Sequence, residues 1–248
     1  MSMGKMSKSK GSNGQLKGNH SKRKRNDGIP FDQELIEHIR VNRSAVERRT
    51  STLGKRRSVK KEWQAAWLLR AITCIDLTTL AGDDTPGNVK RLCAKAKQPL
   101  RQDLLQAMNM YQENITVGAV CVYHNLIGDA KKALTGTTIP IAAVSTGFPA
   151  GQIPVTEKIK QIKLSVAAGA QEIDIVINRA HVLTSNWRKL YNEMSKYRAA
   201  CGEAHMKTIL ATGELATLNK VAKASMVCMM AGADFIKTST GKESVNAT

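Results

Sequence analysis

The sequence is poor in aromatic residues and has no paired cysteines. Of its 248 residues, 4% are Phe, Trp or Tyr, and five are cysteines, at positions 74, 93, 121, 201 and 228. No two cysteines form a Cys-x-x-Cys pair and their number is odd, which argues against a disulfide framework and against a structural zinc site. We therefore expect five reduced thiols.

Long apolar runs are also missing. The longest runs, such as residues 139–144, fall far short of the roughly 18 residues that a transmembrane helix needs. The first thirty residues alternate Lys, Ser, Gly and Asn and contain no apolar h-region, which excludes a secretory signal peptide. The sequence thus predicts an intracellular, cytoplasmic protein with no membrane partner.

Positive charge dominates the sequence, but it is unevenly distributed. The net charge is +18, and residues 1–61 alone contain 17 Lys or Arg against 5 Asp or Glu. A nucleic-acid-binding domain would spread its positive charge over a folded face and would carry aromatic side chains for stacking. Because both features are lacking beyond residue 61, nucleic acid is not the expected partner of the folded part.

The first 28 residues predict a disordered basic tail, since they contain too few apolar side chains to offset the entropy of ordering them. Within this tail the run Ser-Lys-Arg-Lys-Arg at residues 21–25 has two interpretations. It could act as a nuclear localisation or nucleic-acid contact patch, or it could be solvated chain. The second interpretation is favoured, because four adjacent basic residues often occur by chance.

Residues 29–69 predict a helical extension. Apolar side chains recur at helical spacing, first from residue 31 onward and again over residues 60–69. The second stretch contains Trp63 and Trp67, which we expect to pack in the core rather than to hold a cofactor.

Six short runs rich in Val and Ile follow, and they alternate with helical stretches such as residues 155–168 and 186–200. The runs cover residues 71–78, 116–123, 140–146, 172–178, 206–212 and 235–240. This alternation indicates right-handed crossovers and a parallel sheet. Two architectures fit: a doubly wound sheet with a topological switch, or a (β/α)₈ barrel without its final two units.

Polar side chains are concentrated in these apolar runs, and in parallel α/β sheets the chemistry collects at the carboxyl ends of strands. Two lysines and two aspartates that face one barrel interior would suit covalent amine chemistry, because a desolvated lysine beside another cation has a lowered pKa and can attack a carbonyl. The alternative is a neutralising network of the same side chains. The two lysines are Lys207 and Lys237, and the two aspartates are Asp76 and Asp174. The other polar side chains in these runs are Cys121 and Tyr123.

The last run continues into Thr-Ser-Thr-Gly-Lys at residues 238–242. Backbone amides, hydroxyls and an ammonium at the end of a strand suit a phosphate group. An ordinary strand-to-helix turn capped by Ser or Thr is the alternative interpretation.

Ordered motifs in the sequence resemble those of the 2-deoxyribose-5-phosphate aldolase family, in its eukaryotic branch. The most specific is Gly-Ala-Asp-Phe-Ile-Lys-Thr-Ser-Thr-Gly-Lys at residues 232–242, followed by Val-Asn-Ala-Thr at 245–248. The resemblance covers roughly residues 60–248. The other motifs, in order, are Asp-Leu-Thr-Thr-Leu at 76–80, Ala-Val-Cys-Val-Tyr at 119–123, Gly-Phe-Pro-Ala-Gly at 147–151, Glu-Ile-Asp-Ile-Val at 172–176 and Thr-Gly-Glu-Leu at 212–215.

This resemblance implies a class I aldolase on a (β/α)₈ TIM-type barrel that needs no metal and no cofactor. Its substrate would be a small phosphosugar, 2-deoxy-D-ribose 5-phosphate, cleaved reversibly to D-glyceraldehyde 3-phosphate and acetaldehyde in deoxyribose phosphate catabolism. The resemblance makes Lys237 the Schiff-base lysine and Asp174 the proton relay. It also implies supporting pocket residues, Lys207, Cys121 and Asp76, and phosphate-binding residues, Thr240, Gly241 and Lys242.

The sequence also departs from the family pattern. The seventh-strand motif Gly-Phe-Lys-Pro-Ala-Gly-Gly, with its second lysine, is not found, and neither is the eighth-strand Gly-Ala-Ser phosphate loop. We therefore expect a C-terminally incomplete barrel over residues 70–248, in which six strands are visible. Assembly into homo-oligomers is a further expectation. The rival hypothesis is a non-catalytic relic that acts as an interaction or nucleic-acid-binding protein.

Overall fold

The six apolar runs form six parallel strands of one sheet. The structure, a computed structural model, describes residues 24–56 and 59–247. Neighbouring strands follow the chain order from β1 to β6. Because this order never reverses, the doubly wound alternative is wrong, and the sheet has the topology of a (β/α)₈-type barrel. The strands are β1 (Asp76–Thr78), β2 (Ala119–Val122), β3 (Ile141–Ser145), β4 (Glu172–Val176), β5 (His205–Ile209) and β6 (Phe235–Lys237).

The sheet is strongly curled, because side chains of its first strand meet those of its last two strands. The Nζ atom of Lys207 on β5 lies 2.5 Å from Oδ2 of Asp76 on β1, and Nζ of Lys237 on β6 lies 3.7 Å from the same oxygen. Among the described residues, β1 and β6 each pair with a single neighbour. The sheet therefore forms an open, incomplete barrel with a concave inner face.

Alternation along the strands separates an apolar outer face from a more polar inner face. The outer side chains are fully or almost fully buried under helices that pack against all six strands. They include Val120, Val122, Ile141, Ala143, Ile173, Ile175 and Met206. On the inner face the apolar part is small and is centred on Cys121, Ala142 and Val144.

Ten helices flank or precede the strands in the described part of the chain. The helix predicted over residues 155–168 is found with those bounds, and the one predicted over 186–200 is displaced by one residue. The helices are α1 (Gln33–His38), α2 (Arg43–Leu53), α3 (Lys61–Ile72), α4 (Pro86–Lys97), α5 (Gln102–Ala107), α6 (Ile127–Ala133), α7 (Val155–Ala168), α8 (Arg179–Leu183), α9 (Trp187–Cys201) and α10 (Leu218–Met230).

Helix α3 differs from its prediction in two respects. It extends to Ile72, so the first strand begins at Asp76 and not at residue 71. Trp63 and Trp67 were expected in the core, but 69% and 63% of their surface is exposed, and no residue of α3 is buried. Helical spacing gathers apolar side chains on one stripe, but it carries no information about which element covers that stripe.

The segment before α1 is bound to the barrel. Residues 24–28, which fall within the predicted disordered tail, hold defined contacts, whereas residues 1–23 and most of the basic run 21–25 lie outside the described residues. The amide of Asn26 donates to Oδ1 of Asp234 at 2.7 Å, and Asn26 Nδ2 donates to two backbone carbonyls. Gly28 adopts a φ of +73° against the carbonyl of Met230, where a Cβ atom would come within 2.7 Å of the oxygen.

A search of the described helices finds none with both the length and the apolar character that a membrane crossing requires.

The outer-face core yields a stability prediction. Ile173 is fully buried on β4, a central strand of the sheet. Replacing it by alanine should lower the free energy of unfolding by roughly 2–5 kcal/mol, and replacing it by valine by roughly 0.5–1.5 kcal/mol, because each change removes buried methyl groups and leaves a cavity. Urea denaturation followed by circular dichroism measures both changes.

The matched control is Leu164→Ala on α7, where 58% of the leucine is exposed. This substitution should stay within about 0.5 kcal/mol of the parent protein. Equal losses for Ile173→Ala and Leu164→Ala would contradict the assignment of the outer face as the core.

Candidate active site

Five ionisable side chains converge on the inner face of the curled sheet. Four of them were expected from the sequence, and the structure brings all four together with one that was not. They are Asp76 from β1, Glu172 and Asp174 from β4, Lys207 from β5 and Lys237 from β6. Three carboxylates therefore surround two ammonium groups in a largely buried space.

Lys207 is the more enclosed of the two lysines, with 6% of its side chain exposed. Its Nζ atom contacts the carboxylates of Asp76, at 2.5 Å, and Glu172, and it lies 3.9 Å from Oδ1 of Asp174. Burial alone would lower the pKa of Lys207, but the attraction of Asp174, Glu172 and Asp76 outweighs burial and raises the pKa above its usual value. Surrounded by these carboxylates, Lys207 is favoured as the cation that neutralises its neighbours.

Lys237 is more accessible, with 28% of its side chain exposed. Its Nζ atom donates a hydrogen bond to Oδ2 of Asp174, whose side chain is fully buried. Burial lowers the pKa of Lys237, but the attraction of Asp174 prevails, so that the pKa lies above its ordinary value even though Lys207 acts against it. The attraction of Asp174 therefore outweighs both burial and the neighbouring cation, and the proximity of two lysines does not lower the pKa of Lys237.

Cys121 lies beside the same carboxylate, with Sγ 3.7 Å from Oδ2 of Asp174. Burial and the negative charge of Asp174 raise the pKa of the thiol far above its usual value. Because the thiolate is the reactive form of cysteine, Cys121 is a neutral packing neighbour and not a nucleophile.

Glu172 is the charged residue that sequence reasoning missed. It lies two positions before Asp174 on the same strand, so the two side chains point to the same face of the sheet. The strand register places Asp174 opposite Lys207. The period of two was therefore the signal that could have found Glu172 from the sequence.

Lys237 opens into a cleft of about 380 Å³ at the carboxyl ends of the strands. Part of the lining comes from residues 238–241, which follow β6, and part comes from the ends of other strands, including Thr78, Val144 and Ile209. Tyr123 lies beside this cleft, where its ring packs edge-on against that of Phe148 with centroids 5.9 Å apart. The cleft thus joins the candidate nucleophile to the candidate phosphate loop.

The candidate phosphate loop is an internally bonded turn. Thr240 and Gly241 line the cleft, whereas Lys242 is exposed and does not contribute to the lining. The amide of Thr240 donates to both carboxylate oxygens of Glu243, and the amide of Lys242 donates to the hydroxyl of Thr240. Two of the amides that the sequence offered to a phosphate are therefore already engaged. The hydroxyls of Thr238 and Thr240 accept, from the Ser239 hydroxyl and the Lys242 amide, and can still donate to a ligand.

Each interpretation of the polar cluster fits one of the two lysines. Lys207, enclosed by carboxylates, fits the neutralising network. Lys237 faces the cleft and keeps a carboxylate within hydrogen-bond reach, which is the geometry of an amine nucleophile with an adjacent proton acceptor. A lysine that lines a cleft beside a carboxylate, on the inner face of a curled parallel sheet, suits the chemistry of a class I aldolase.

Comparison with known proteins identifies the family. The family model "DeoC/LacD family aldolase" matches residues 70–248. The chain belongs to this family of aldolases.

Individual relatives agree with the family assignment. The deoxyribose-phosphate aldolase of Homo sapiens is 60% identical over 225 residues, which cover 90% of this chain and 71% of that protein. The deoxyribose-phosphate aldolase of Bos taurus is 59% identical over 223 residues, which cover 89% of this chain and 70% of that protein.

Solved structures support the fold. The aldolase QR15 superimposes with a TM-score of 0.60 at 25% identity and covers 71% of each chain. The deoxyribose phosphate aldolase of Aeropyrum pernix superimposes with a TM-score of 0.53 at 23% identity, covering 70% of this chain and 66% of that one.

The buried cation yields a prediction. Replacing Lys207 by methionine leaves buried carboxylates without their counter-charge, and we expect a loss of about 3–5 kcal/mol in the free energy of unfolding. Lys160→Met is the control, since its ion pair with Glu157 is exposed, and it should cost no more than about 1 kcal/mol. Urea denaturation at pH 7 distinguishes the two, and a stable Lys207→Met protein would contradict the assigned role.

Proposed function

We propose that the chain is a deoxyribose-phosphate aldolase that cleaves 2-deoxy-D-ribose 5-phosphate reversibly to D-glyceraldehyde 3-phosphate and acetaldehyde, in the catabolism of deoxyribose phosphates. The observation that carries the proposal is the amine of Lys237, which faces the cleft while hydrogen-bonded to the buried carboxylate of Asp174. The deoxyribose-phosphate aldolases of Homo sapiens and Bos taurus, which are 60% and 59% identical to this chain, support the choice of substrate.

The reaction begins with the proton on Lys237. Because the amine is held as an ammonium, it first transfers a proton to Asp174 or to a water molecule beside it. The free amine then attacks C1 of the open-chain sugar, and loss of water from the adduct gives an iminium ion, the protonated Schiff base. The positive charge of the iminium replaces that of the ammonium, so the carboxylates that favour one also favour the other.

Carbon–carbon cleavage follows from the iminium. A base removes the proton of the 3-hydroxyl, the bond between C2 and C3 breaks, and its electrons enter the iminium to form an enamine. Glyceraldehyde 3-phosphate leaves with the phosphate. Protonation of the enamine at C2 and hydrolysis release acetaldehyde and restore the lysine. Asp174, working with water, is the group placed to move these protons.

The remaining residues have supporting roles in this scheme. Lys207 holds the carboxylates of Asp76 and Glu172 by ion pairs, and Asp174 stays available to Lys237. Cys121 packs beneath Asp174. Thr240 and Gly241 contribute to the phosphate end of the cleft, and Lys242 supplies positive charge near its rim. No metal takes part in any step of the proposed reaction.

Borohydride trapping tests the nucleophile. Incubation with 2-deoxyribose 5-phosphate and borohydride should reduce the iminium to a stable adduct, which peptide mass spectrometry should locate at Lys237. Lys237→Ala should abolish the adduct, whereas Lys163→Ala, a change at an exposed lysine of α7, should leave it unaffected. A folded protein that gives no adduct would contradict the proposal and favour the non-catalytic alternative.

The raised pKa of Lys237 also predicts a pH dependence. At neutral pH only a small fraction of the amine is unprotonated, and this fraction grows with pH because the pKa lies above the ordinary value of 10.5. The rate of trapping should therefore increase by roughly tenfold per pH unit between about pH 7 and 9. A rate that is constant over this interval, with the protein folded throughout, would show that proton loss from Lys237 does not limit the reaction.

Three further expectations stay predictions: a cytoplasmic location rather than a nuclear one, assembly into homo-oligomers, and a basic tail that is solvated rather than bound to nucleic acid. Deletion of residues 1–23 tests the last of these, since a tail that binds nucleic acid would give an affinity that falls steeply with salt and disappears with the deletion.

A further inference from the structure

Arg179 connects the loops that follow four consecutive strands. It is the first residue of α8, just after β4, and 14% of its side chain is exposed. Its guanidinium donates to the carbonyls of Ala150, at 3.0 Å, and Pro149, at 3.1 Å, in the loop after β3. It also forms an ion pair with Glu214 in the loop after β5, where Nε lies 2.8 Å from Oε2.

The fourth connection leads to the candidate phosphate loop. Nη2 of Arg179 lies 3.6 Å from Oε1 of Glu243, whose side chain is 2% exposed. Both oxygens of this buried carboxylate accept from the amide of Thr240, at 3.2 and 3.1 Å. Glu243 is absent from the cleft lining, whereas Thr240 is part of it. The carboxylate thus holds the loop without itself lining the cleft.

A close approach of two chain segments supports the same connection. Gly213, next to Glu214, lies against Val245, and a Cβ atom at position 213 would come within 2.0 Å of the carbonyl oxygen of Val245. The amide of Thr212 donates to the carbonyl of Thr238 at 2.8 Å. The loop after β5 is therefore packed along the segment after β6, on both sides of Glu243.

We propose that Arg179 is a positioning residue for phosphate recognition: by pairing with Glu243 it holds residues 238–242 in the turn that presents the Thr238, Ser239 and Thr240 end of the cleft to the phosphate. The proposal rests on the proposed function for the identity of the phosphosugar, but not for the contacts themselves. A guanidinium suits this position because its planar fork donates to several acceptors at once, which an ammonium on a flexible stem does less well.

The test compares Arg179→Gln, Arg179→Lys and Glu243→Gln with the parent protein on two substrates, 2-deoxyribose 5-phosphate and unphosphorylated 2-deoxyribose. Arg179→Gln should raise KM for the phosphosugar by roughly tenfold or more, while kcat on the phosphosugar and kcat/KM for the free sugar change by less than about threefold. Arg179→Lys and Glu243→Gln should give intermediate increases in KM, because each keeps part of the hydrogen bonding. Arg91→Gln, at an exposed arginine of α4, is the matched control and should change neither substrate.

A binding measurement separates this inference from the proposed reaction. Calorimetric titration with inorganic phosphate should give a dissociation constant roughly tenfold larger for Arg179→Gln than for the parent and for Arg91→Gln. If the parent binds phosphate in this way but gives no Schiff-base adduct, the proposed function fails and the role of Arg179 stands.

The inference is overturned by any of three results. The first is an equal loss in kcat/KM on both sugars for Arg179→Gln, which would indicate general damage to the site. The second is an unchanged KM of Arg179→Gln for the phosphosugar. The third is a parent protein that does not bind phosphate.

Discussion

The ammonium of Lys207 is the group on which the interior of the sheet depends. It draws together carboxylates from the first and the fourth strands, which only a curled sheet can bring to one point. A buried charge without partners is costly, and the same holds for each carboxylate around it. The curvature of the sheet therefore allows the buried charges to neutralise one another. The same neutralisation leaves Asp174 available to Lys237. Because Lys207 takes up most of this charge from within the sheet, Lys237 keeps one hydrogen-bonded carboxylate, Asp174, with Asp76 3.7 Å away, and an open side toward the cleft.

Much of the barrel could be predicted from the sequence, since buried parallel strands are short apolar runs that stand out against helical periodicity. The charged residues inside those runs, Asp174, Lys207 and Lys237, were conspicuous for the same reason. What the pattern could not supply was contact information. Trp63 and Trp67 have the spacing of a buried stripe, yet no described element covers them. The stripe depends on a tertiary neighbour, and periodicity within one helix does not reveal it.

The direction of the lysine pKa shifts could not be predicted from individual residues either. A lysine near a second lysine suggests a lowered pKa, but the sign of the shift depends on the sum of all neighbouring charges. Glu172 completes the group of three carboxylates, but it is the first residue of β4, at the edge of the apolar run that marks the strand in the sequence. The role of Arg179 could not be predicted from the sequence for a different reason. Its partners are separated from it by about 30 to 65 positions along the chain, and two of them are backbone carbonyls that carry no sequence signal.

The contact between Asn26 and Asp234 has a consequence for how the chain folds. The two residues are 208 positions apart, and Asp234 also accepts from Arg198 and from the amide of Met206 at the start of β5. During synthesis the segment around Asn26 leaves the ribosome early, but its docking site is complete only after β5 and the residues that lead into β6 have been made. The segment must therefore wait for most of the polypeptide before it can dock, and contacts of such long sequence separation form late and slowly. Until then the segment stays undocked and accessible to proteases and chaperones.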